Sequence, residues 1–188
     1  DRVFKLMNAE KVQPTEIENR LAGMNPFIRH VIVMGQGRDH LSALIFPDYF
    51  RIVAQFGDDR VAAERAVGAS LRETVATFNR EHPVGYERIL AFAVVSRELA
   101  IETNELTPSL KVRVKSVLEQ TADYQEALYS PSAACDCRFL RKVMRLVPDG
   151  RPCVAGQDRT LDQCHACGGF VFDAEPPGMT EDTGGAPR

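Results

Sequence analysis

Residues 28–48 read IRHVIVM-GQGRDH-LSALIFPD, two apolar runs on either side of a polar segment that contains two glycines. Both runs are partly β-branched, which is typical of strands. Gly35 and Gly37 lie between the runs, where glycine lets the chain reverse, and Pro47-Asp48 ends the second run. This segment therefore predicts two strands joined by a hairpin turn. It is not a dinucleotide-binding fingerprint, since the third glycine and the following helix start are both missing.

A shorter hairpin is predicted upstream of this pair. Residues 3–6 and 10–13 resemble two short strands around Met7-Asn8-Ala9. Asparagine tolerates a left-handed backbone, so Asn8 suits the turn. We call residues 3–13 the leading hairpin.

Three segments predict helices. Thr15 is placed to cap the first, with Glu18 completing a capping box, and Asn25-Pro26 ends it because the residue before a proline avoids the helical region. Residues 61–80 and 112–124 are the second and third, since their apolar residues recur at helical spacing. The apolar residues expected to face the core are Ile17, Leu21 and Met24 in the first helix, Val67, Leu71, Val75 and Phe78 in the second, and Val114, Val117 and Leu118 in the third.

Residues 89–95 form another short apolar run, which predicts a third strand of the main sheet. Strands and helices interleave without the strict alternation of a doubly wound fold. The predicted fold class is therefore α+β: the leading hairpin, then a small sheet of about three strands packed with helices.

Composition narrows the classes of function. The formal net charge of −3 over 188 residues gives no general attraction to nucleic acid, so nucleic acid is not expected as a partner. The chain has no apolar run long enough to cross a membrane and no secretory signal at its first residues. The sequence therefore predicts a cytoplasmic protein in a reducing compartment.

The last third of the chain differs in composition. All five cysteines lie beyond residue 134, which predicts a domain boundary near residue 130, with residues 1–130 as one domain and residues 131–188 as a cysteine-containing, partly disordered tail of uncertain fold. Three interpretations of the cysteines stay open: a structural zinc site, free thiols, and disulfide or redox chemistry. The zinc ligands would be Cys135, Cys137, Cys164 and Cys167.

Residues 138–147 of this tail alternate basic and apolar side chains at helical spacing. This pattern predicts a short basic amphipathic helix. Such a helix either packs on its own domain or lies on an anionic membrane, so peripheral membrane contact is one of two alternatives.

Lys111 is the candidate catalytic residue. Thr107 is suited to cap a helix and Pro108 to occupy its first position, which would place Lys111 in the first helical turn. Free N–H groups and the helix dipole favour an anion there, so a lysine would strengthen a phosphate or carboxylate site. The competing interpretation is an ordinary solvated lysine. The four histidines have no spacing that suggests catalysis, and residues 1–130 contain no metal motif.

Several segments, in this order, resemble the C-terminal subdomain of long-chain fatty acyl-CoA synthetases, which belong to the adenylate-forming enzyme superfamily. The resemblance covers roughly residues 1–129, and its segments are residues 1–18, 25–28, 35–38, 41–48, 87–89, 105–111 and 126–129.

The resemblance implies that Lys111 contacts the attacking carboxylate and the α-phosphate during adenylation. It also implies that residues 1–130 swing about a hinge and present Met7, Asn8, Ala9, Glu10 and Lys11 to coenzyme A in a second state. ATP and Mg²⁺ would be bound mainly by a large N-terminal subdomain, with a fatty acid and coenzyme A as substrates. The sequence departs from the family at Ala9, where glycine is usual, and at Val114, where a second arginine is usual.

Two other interpretations remain open. One is a non-catalytic remnant fused to a tail that binds zinc, a membrane or a partner. The other is the adenylation part of a carboxylic acid reductase, which shares related features and would be followed by a carrier domain. Residues 1–188 contain no glycine-, serine- and threonine-rich phosphate loop, so we expect this chain to be inactive without the large subdomain.

Overall fold

A computed structural model describes residues 2–95, 97–129 and 143–145. Six strands and five helices lie within these residues. The strands are β1 (Phe4–Lys5), β2 (Lys11–Val12), β3 (Ile28–Met34), β4 (Leu41–Pro47), β5 (Ile89–Val94) and β6 (Val143–Arg145). The helices are α1 (Pro14–Met24), α2 (Tyr49–Phe56), α3 (Arg60–Glu81), α4 (Val114–Gln120) and α5 (Ala122–Tyr129), and a 3-10 turn spans Gly85–Glu87.

The main sheet has the order β3-β4-β5-β6. β3 and β4 pair antiparallel through the predicted hairpin turn, β4 and β5 pair parallel, and β6 pairs antiparallel with β5. The parallel pair requires a crossover, which α2 and α3 supply. Every residue of β4 is buried, which explains its uninterrupted apolar sequence.

The two faces of this sheet are covered by different helices. One face packs against α1 and α3, whose Ile17, Leu21, Val67, Leu71 and Phe78 are buried as their spacing predicts. The other face packs against α4 and α5 through Val117, Tyr124 and Leu128. The sheet is therefore a central layer between two apolar cores.

The helix starts differ in part from the predicted ones. Asp48 and Asp59 cap α2 and α3 by accepting backbone N–H groups, and α2 itself was not predicted. The predicted capping box of α1 is wrong, because α1 begins at Pro14 without a side-chain cap. Glu18 instead accepts the N–H of Val33 at 2.7 Å and pairs with Arg2 at 2.5 Å.

The α+β class, the leading hairpin and the small sheet with packed helices are confirmed, with β6 as a further strand. The helix predicted over residues 138–147 is wrong at Val143–Arg145, since sheet pairing with β5 fixes an extended backbone there. The remainder of that helix, the cysteines and the predicted partial disorder of the tail fall on residues outside the described ones. In the part of the chain that the structure describes, no helix is long and apolar enough to cross a membrane.

Candidate functional site

Lys111 lies on a small loop that is closed by an antiparallel bridge between Leu106 and Val112. We call residues 106–112 the lysine loop. Inside it, the N–H of Thr107 donates to the carbonyl of Lys111 at 2.8 Å, and the N–H of Lys111 donates to the Thr107 hydroxyl at 3.0 Å. Leu110 adopts a left-handed backbone with φ of 60°. The Lys111 side chain is exposed, and it has no ion-pair partner among the described residues.

The helical placement predicted for Lys111 is therefore wrong. α4 begins at Val114, beyond the lysine loop, and the Thr107 hydroxyl closes a turn rather than capping a helix. The left-handed Leu110 interrupts any helix at this point, because a run of residues in one helical conformation is needed to build the first turn. Lys111 can therefore attract an anion through the charge of its own side chain, but it does not lie among the free N–H groups of a helix start.

An ion pair with a buried carboxylate lies at the base of the lysine loop. Glu105 is fully buried, and its carboxylate accepts hydrogen bonds from Arg97 at 2.5 and 2.7 Å and from Thr103 at 2.7 Å. Burial raises the pKa of this carboxyl, but the hydrogen bonds and the charge of Arg97 lower it by more, so the pKa lies below its ordinary value. This pair could not be predicted from the sequence, since nothing in the spacing of Arg97 and Glu105 indicates it.

The leading hairpin holds the other five candidate residues together. Ala9 donates its N–H to the carbonyl of Leu6 at 3.0 Å, and the Asn8 side chain accepts the N–H of Glu10 at 3.2 Å. The left-handed residue of this turn is Ala9, with φ of 68°, and not Asn8 as predicted. Its backbone is thus in the conformation that favours the glycine usual at this position. Met7 is 72% exposed, and Asn8 to Lys11 are exposed as well.

Backbone hydrogen bonds fix the leading hairpin to the turn between β3 and β4. Gly37 donates to the carbonyl of Lys5 at 2.8 Å, and Met7 donates to the carbonyl of Arg38 at 2.8 Å. Gly35 lies at this contact. A Cβ added there would lie 2.8 Å from the side chain of Leu41, the first residue of β4, and 3.0 Å from the side chain of Leu6 in the leading hairpin. The hairpin and the main sheet therefore form one packed body.

The three histidines within the described residues interact with neighbouring charged groups of the protein. Half-buried His30 has a lowered pKa, first because of burial and then because of the Arg29 charge, against a raising effect of Asp48. His40 and His82 each lie 2.7 Å from a carboxylate oxygen. Within residues 2–95, 97–129 and 143–145, no group of three acidic, histidine or cysteine residues is arranged to hold a metal ion.

Residues 1–133 match the family model of the AMP-binding enzyme C-terminal domain. The A-PCP didomain of carboxylic acid reductase from Segniliparus rugosus, solved with AMP, is 28% identical with a TM-score of 0.51, over 69% of this chain and 17% of that one. The A domain of carboxylic acid reductase from the same organism, solved with AMP and a co-purified carboxylic acid, is 27% identical with a TM-score of 0.50, over 68% and 19%.

A third structure is similar in fold alone: the adenylation domain of the carboxylate reductase from Mycobacterium chelonae, at 24% identity and a TM-score of 0.50, over 68% of this chain and 19% of that one. No curated protein matches the chain. The chain spans less than a fifth of the length of these three relatives, 17% of one and 19% of the other two.

Proposed function

The chain belongs to the AMP-binding enzyme C-terminal domain family of adenylate-forming enzymes, and from that premise we propose that it is the small subdomain of an ATP-dependent long-chain fatty acid–CoA ligase in which Lys111 serves adenylation. One observation carries this proposal. Lys111 is an exposed cation without an ion-pair partner among the described residues, on a loop closed by its own backbone and the Thr107 hydroxyl.

In the adenylation step, a carboxylate oxygen of the fatty acid attacks the α-phosphorus of ATP, a new P–O bond forms, and the bond to pyrophosphate breaks. Negative charge gathers on the oxygens around that phosphorus as the reaction proceeds. The Lys111 ammonium is suited to contact the carboxylate and the α-phosphate at that moment, and a charge already in place there lowers the barrier. ATP and Mg²⁺ would be held mainly by the large N-terminal subdomain, which brings them to the lysine loop.

In the second step, the thiolate sulfur of coenzyme A attacks the acyl carbon and AMP leaves. We assign the exposed residues Met7, Asn8, Ala9, Glu10 and Lys11 of the leading hairpin to the surface that faces coenzyme A. The register supports this assignment, because Lys5 and Lys11 are cross-strand partners and so project from the same face. Two exposed cations on that face suit the phosphates of the coenzyme.

The proposed rotation between the two steps requires residues 1–130 to move as one rigid unit. Arg2 supports this view, since it pairs with Glu18 at 2.5 Å and donates to the carbonyl of Val33 at 2.7 Å. These contacts tie the first described residue of the chain to α1 and β3. The hinge would therefore lie outside the packed body.

A second candidate function is the adenylation domain of a carboxylic acid reductase. The two Segniliparus rugosus structures, at 28% and 27% identity, favour it. Both candidates share the adenylation step and Lys111. They differ in the thiol that accepts the acyl group, which is coenzyme A in the ligase and a carrier-domain thiol in the reductase.

The test uses the protein in which this chain follows its large subdomain. We expect a long-chain fatty acid, ATP and Mg²⁺ to yield pyrophosphate, and added coenzyme A to yield AMP and an acyl-CoA thioester, measured by chromatography. Pyrophosphate release without any acyl-CoA, with the acyl group recovered on a carrier domain, would replace the ligase by the reductase. An absence of ATP cleavage with every carboxylic acid tried would contradict both functions.

A further inference from the structure

We infer that the partly buried pair of Glu105 and Arg97 is a positioning device for Lys111, which sets the place of the lysine loop relative to the main sheet. The inference rests on the proposed adenylation role of Lys111 and adds two residues to it. Glu105 is fully buried and so cannot meet the substrate, and the guanidinium of Arg97, whose side chain is 34% exposed, is engaged with the Glu105 carboxylate. Both are therefore positioning residues rather than catalytic ones.

The pair links the loop to the sheet through a rigid contact. Arg97 lies just beyond β5, which ends at Val94. Between them, the N–H of Val95 still donates to the carbonyl of Ile45 in β4 at 2.9 Å. The guanidinium of Arg97 holds both carboxylate oxygens of Glu105, at 2.5 and 2.7 Å. A two-pronged contact of this kind fixes direction as well as distance. The carboxylate is consequently anchored to the end of the central sheet.

Glu105 is also the residue from which the lysine loop starts. Its carbonyl accepts the N–H of Arg113 at 2.7 Å, just outside the bridge between Leu106 and Val112. Both ends of the loop therefore meet at Glu105, and a displacement of Glu105 moves the whole loop with Lys111 on it.

Leu110 gives an independent reason to expect an anchor. A branched, bulky residue in the left-handed region is strained, and such a conformation persists only where the surrounding contacts determine it. Its side chain is 62% exposed and lines a cleft of about 160 Å³ together with Arg97 and Leu106. The strained residue next to Lys111 thus lines the same cleft as the anchoring arginine.

Stability alone is a weak explanation for an ion pair whose carboxylate is fully buried. Removing charge from water is costly, and apolar side chains of similar size often stabilise a core at least as well. A fixed geometry is the property that the ion pair adds. Adenylation needs such a geometry, because a displacement of about 1 Å in a reacting group is enough to lower a rate about 100-fold.

The experiment compares the two half-reactions in the protein that carries this chain with its large subdomain. Glu105→Gln removes the charge, and Arg97→Lys keeps the charge but loses the two-pronged contact. We expect each variant to lower the maximal rate of pyrophosphate release by roughly 10- to 100-fold. The KM for ATP and the rate of thioester formation from supplied acyl-adenylate should stay near the wild-type values, since the leading hairpin is untouched.

The matched control is Glu87→Gln. Glu87 is also largely buried and pairs with His82 at 2.7 Å, but it lies by the 3-10 turn and not on the lysine loop. We expect this variant to keep the wild-type rates of both half-reactions. Equal losses in both half-reactions for Arg97→Lys, or no loss in either, would overturn the positioning role.

A second measurement separates this inference from the proposed function. Amide hydrogen exchange of the 188-residue chain should become faster at residues 106–112 in Arg97→Lys and unchanged in the leading hairpin. Unchanged exchange at the lysine loop would overturn the inference even if Lys111 is catalytic. Faster exchange there, combined with full adenylation activity of Lys111→Ala, would instead overturn the proposed function.

Discussion

Replacement of Asn25 by alanine should strongly destabilise the packed body. Asn25 is 2% exposed at the end of α1, and its amide nitrogen donates to the hydroxyls of Ser70 and Thr74 in α3, both at 2.8 Å. Its side-chain oxygen accepts the N–H of Phe27 at 2.9 Å. Each hydrogen bond contributes about 1 kcal/mol, and leaving the buried Phe27 N–H without a partner costs about 1–3 kcal/mol. We therefore expect Asn25→Ala to lower the free energy of unfolding by about 3–5 kcal/mol, a large share of the ordinary 5–15 kcal/mol.

Urea unfolding followed by circular dichroism measures this loss. With a slope of about 1–3 kcal/mol per molar urea, the midpoint should fall by roughly 1–5 M. Asn19→Ala is the control, because Asn19 lies exposed on the same helix, and its effect should stay within about 0.5 kcal/mol. A loss below about 1 kcal/mol for Asn25→Ala would refute the reasoning that this amide joins α1 to α3.

Three further predictions concern the site and its supports. The pKa of Glu105 in the folded protein lies below its ordinary value of 4.5, so the unfolded chain binds the proton more readily. The stability supplied by this carboxylate is therefore complete above pH 4.5 and is lost as the pH falls through the folded pKa. Thermal unfolding from pH 7 to pH 3 should therefore show a smaller loss for Glu105→Gln than for the wild type, and parallel curves would contradict this. Ala9→Gly should relieve about 1–2 kcal/mol of left-handed strain against an entropic cost of about 0.4–1 kcal/mol. The net gain in calorimetry should therefore lie between about 0 and 1.6 kcal/mol, and a net loss would refute the strain. Tyr129→Phe removes a hydroxyl that donates to the carbonyl of Met34 at 3.0 Å and should cost about 1 kcal/mol in urea unfolding; an unchanged midpoint would show that this contact is not stabilising.

The main sheet could be predicted because its apolar runs are continuous. Most of residues 28–34, 41–46 and 89–95 are buried in the structure, with Arg29 the exposed exception, so nearly every position had to be apolar and the strands were visible in the sequence. α3 was equally clear, since one face of a long helix packs on the sheet. α2 was missed because it is short and follows its strand directly, with only Asp48 as a start signal.

The lysine loop could not be predicted from the same kind of pattern. Thr107 and Pro108 are good helix-start residues, but the bridge between Leu106 and Val112 and the backbone of Leu110 depend on tertiary contacts. Intrinsic preference is a weak signal where tertiary structure decides. In the leading hairpin the left-handed residue is Ala9, although Asn8 is the better candidate by residue type. The informative signal was that the family which this chain resembles usually has glycine at the position of Ala9.

Pyrophosphate release by Lys111→Ala is the most direct test of the central claim. The measurement uses the protein with its large subdomain, a saturating fatty acid, ATP and Mg²⁺, with Lys115→Ala as the matched control, because Lys115 is an exposed lysine of α4 that is 91% accessible. The account predicts that Lys111→Ala slows pyrophosphate release by a factor on the order of 100 or more while Lys115→Ala stays near the wild-type rate. A near-normal rate for Lys111→Ala would contradict it.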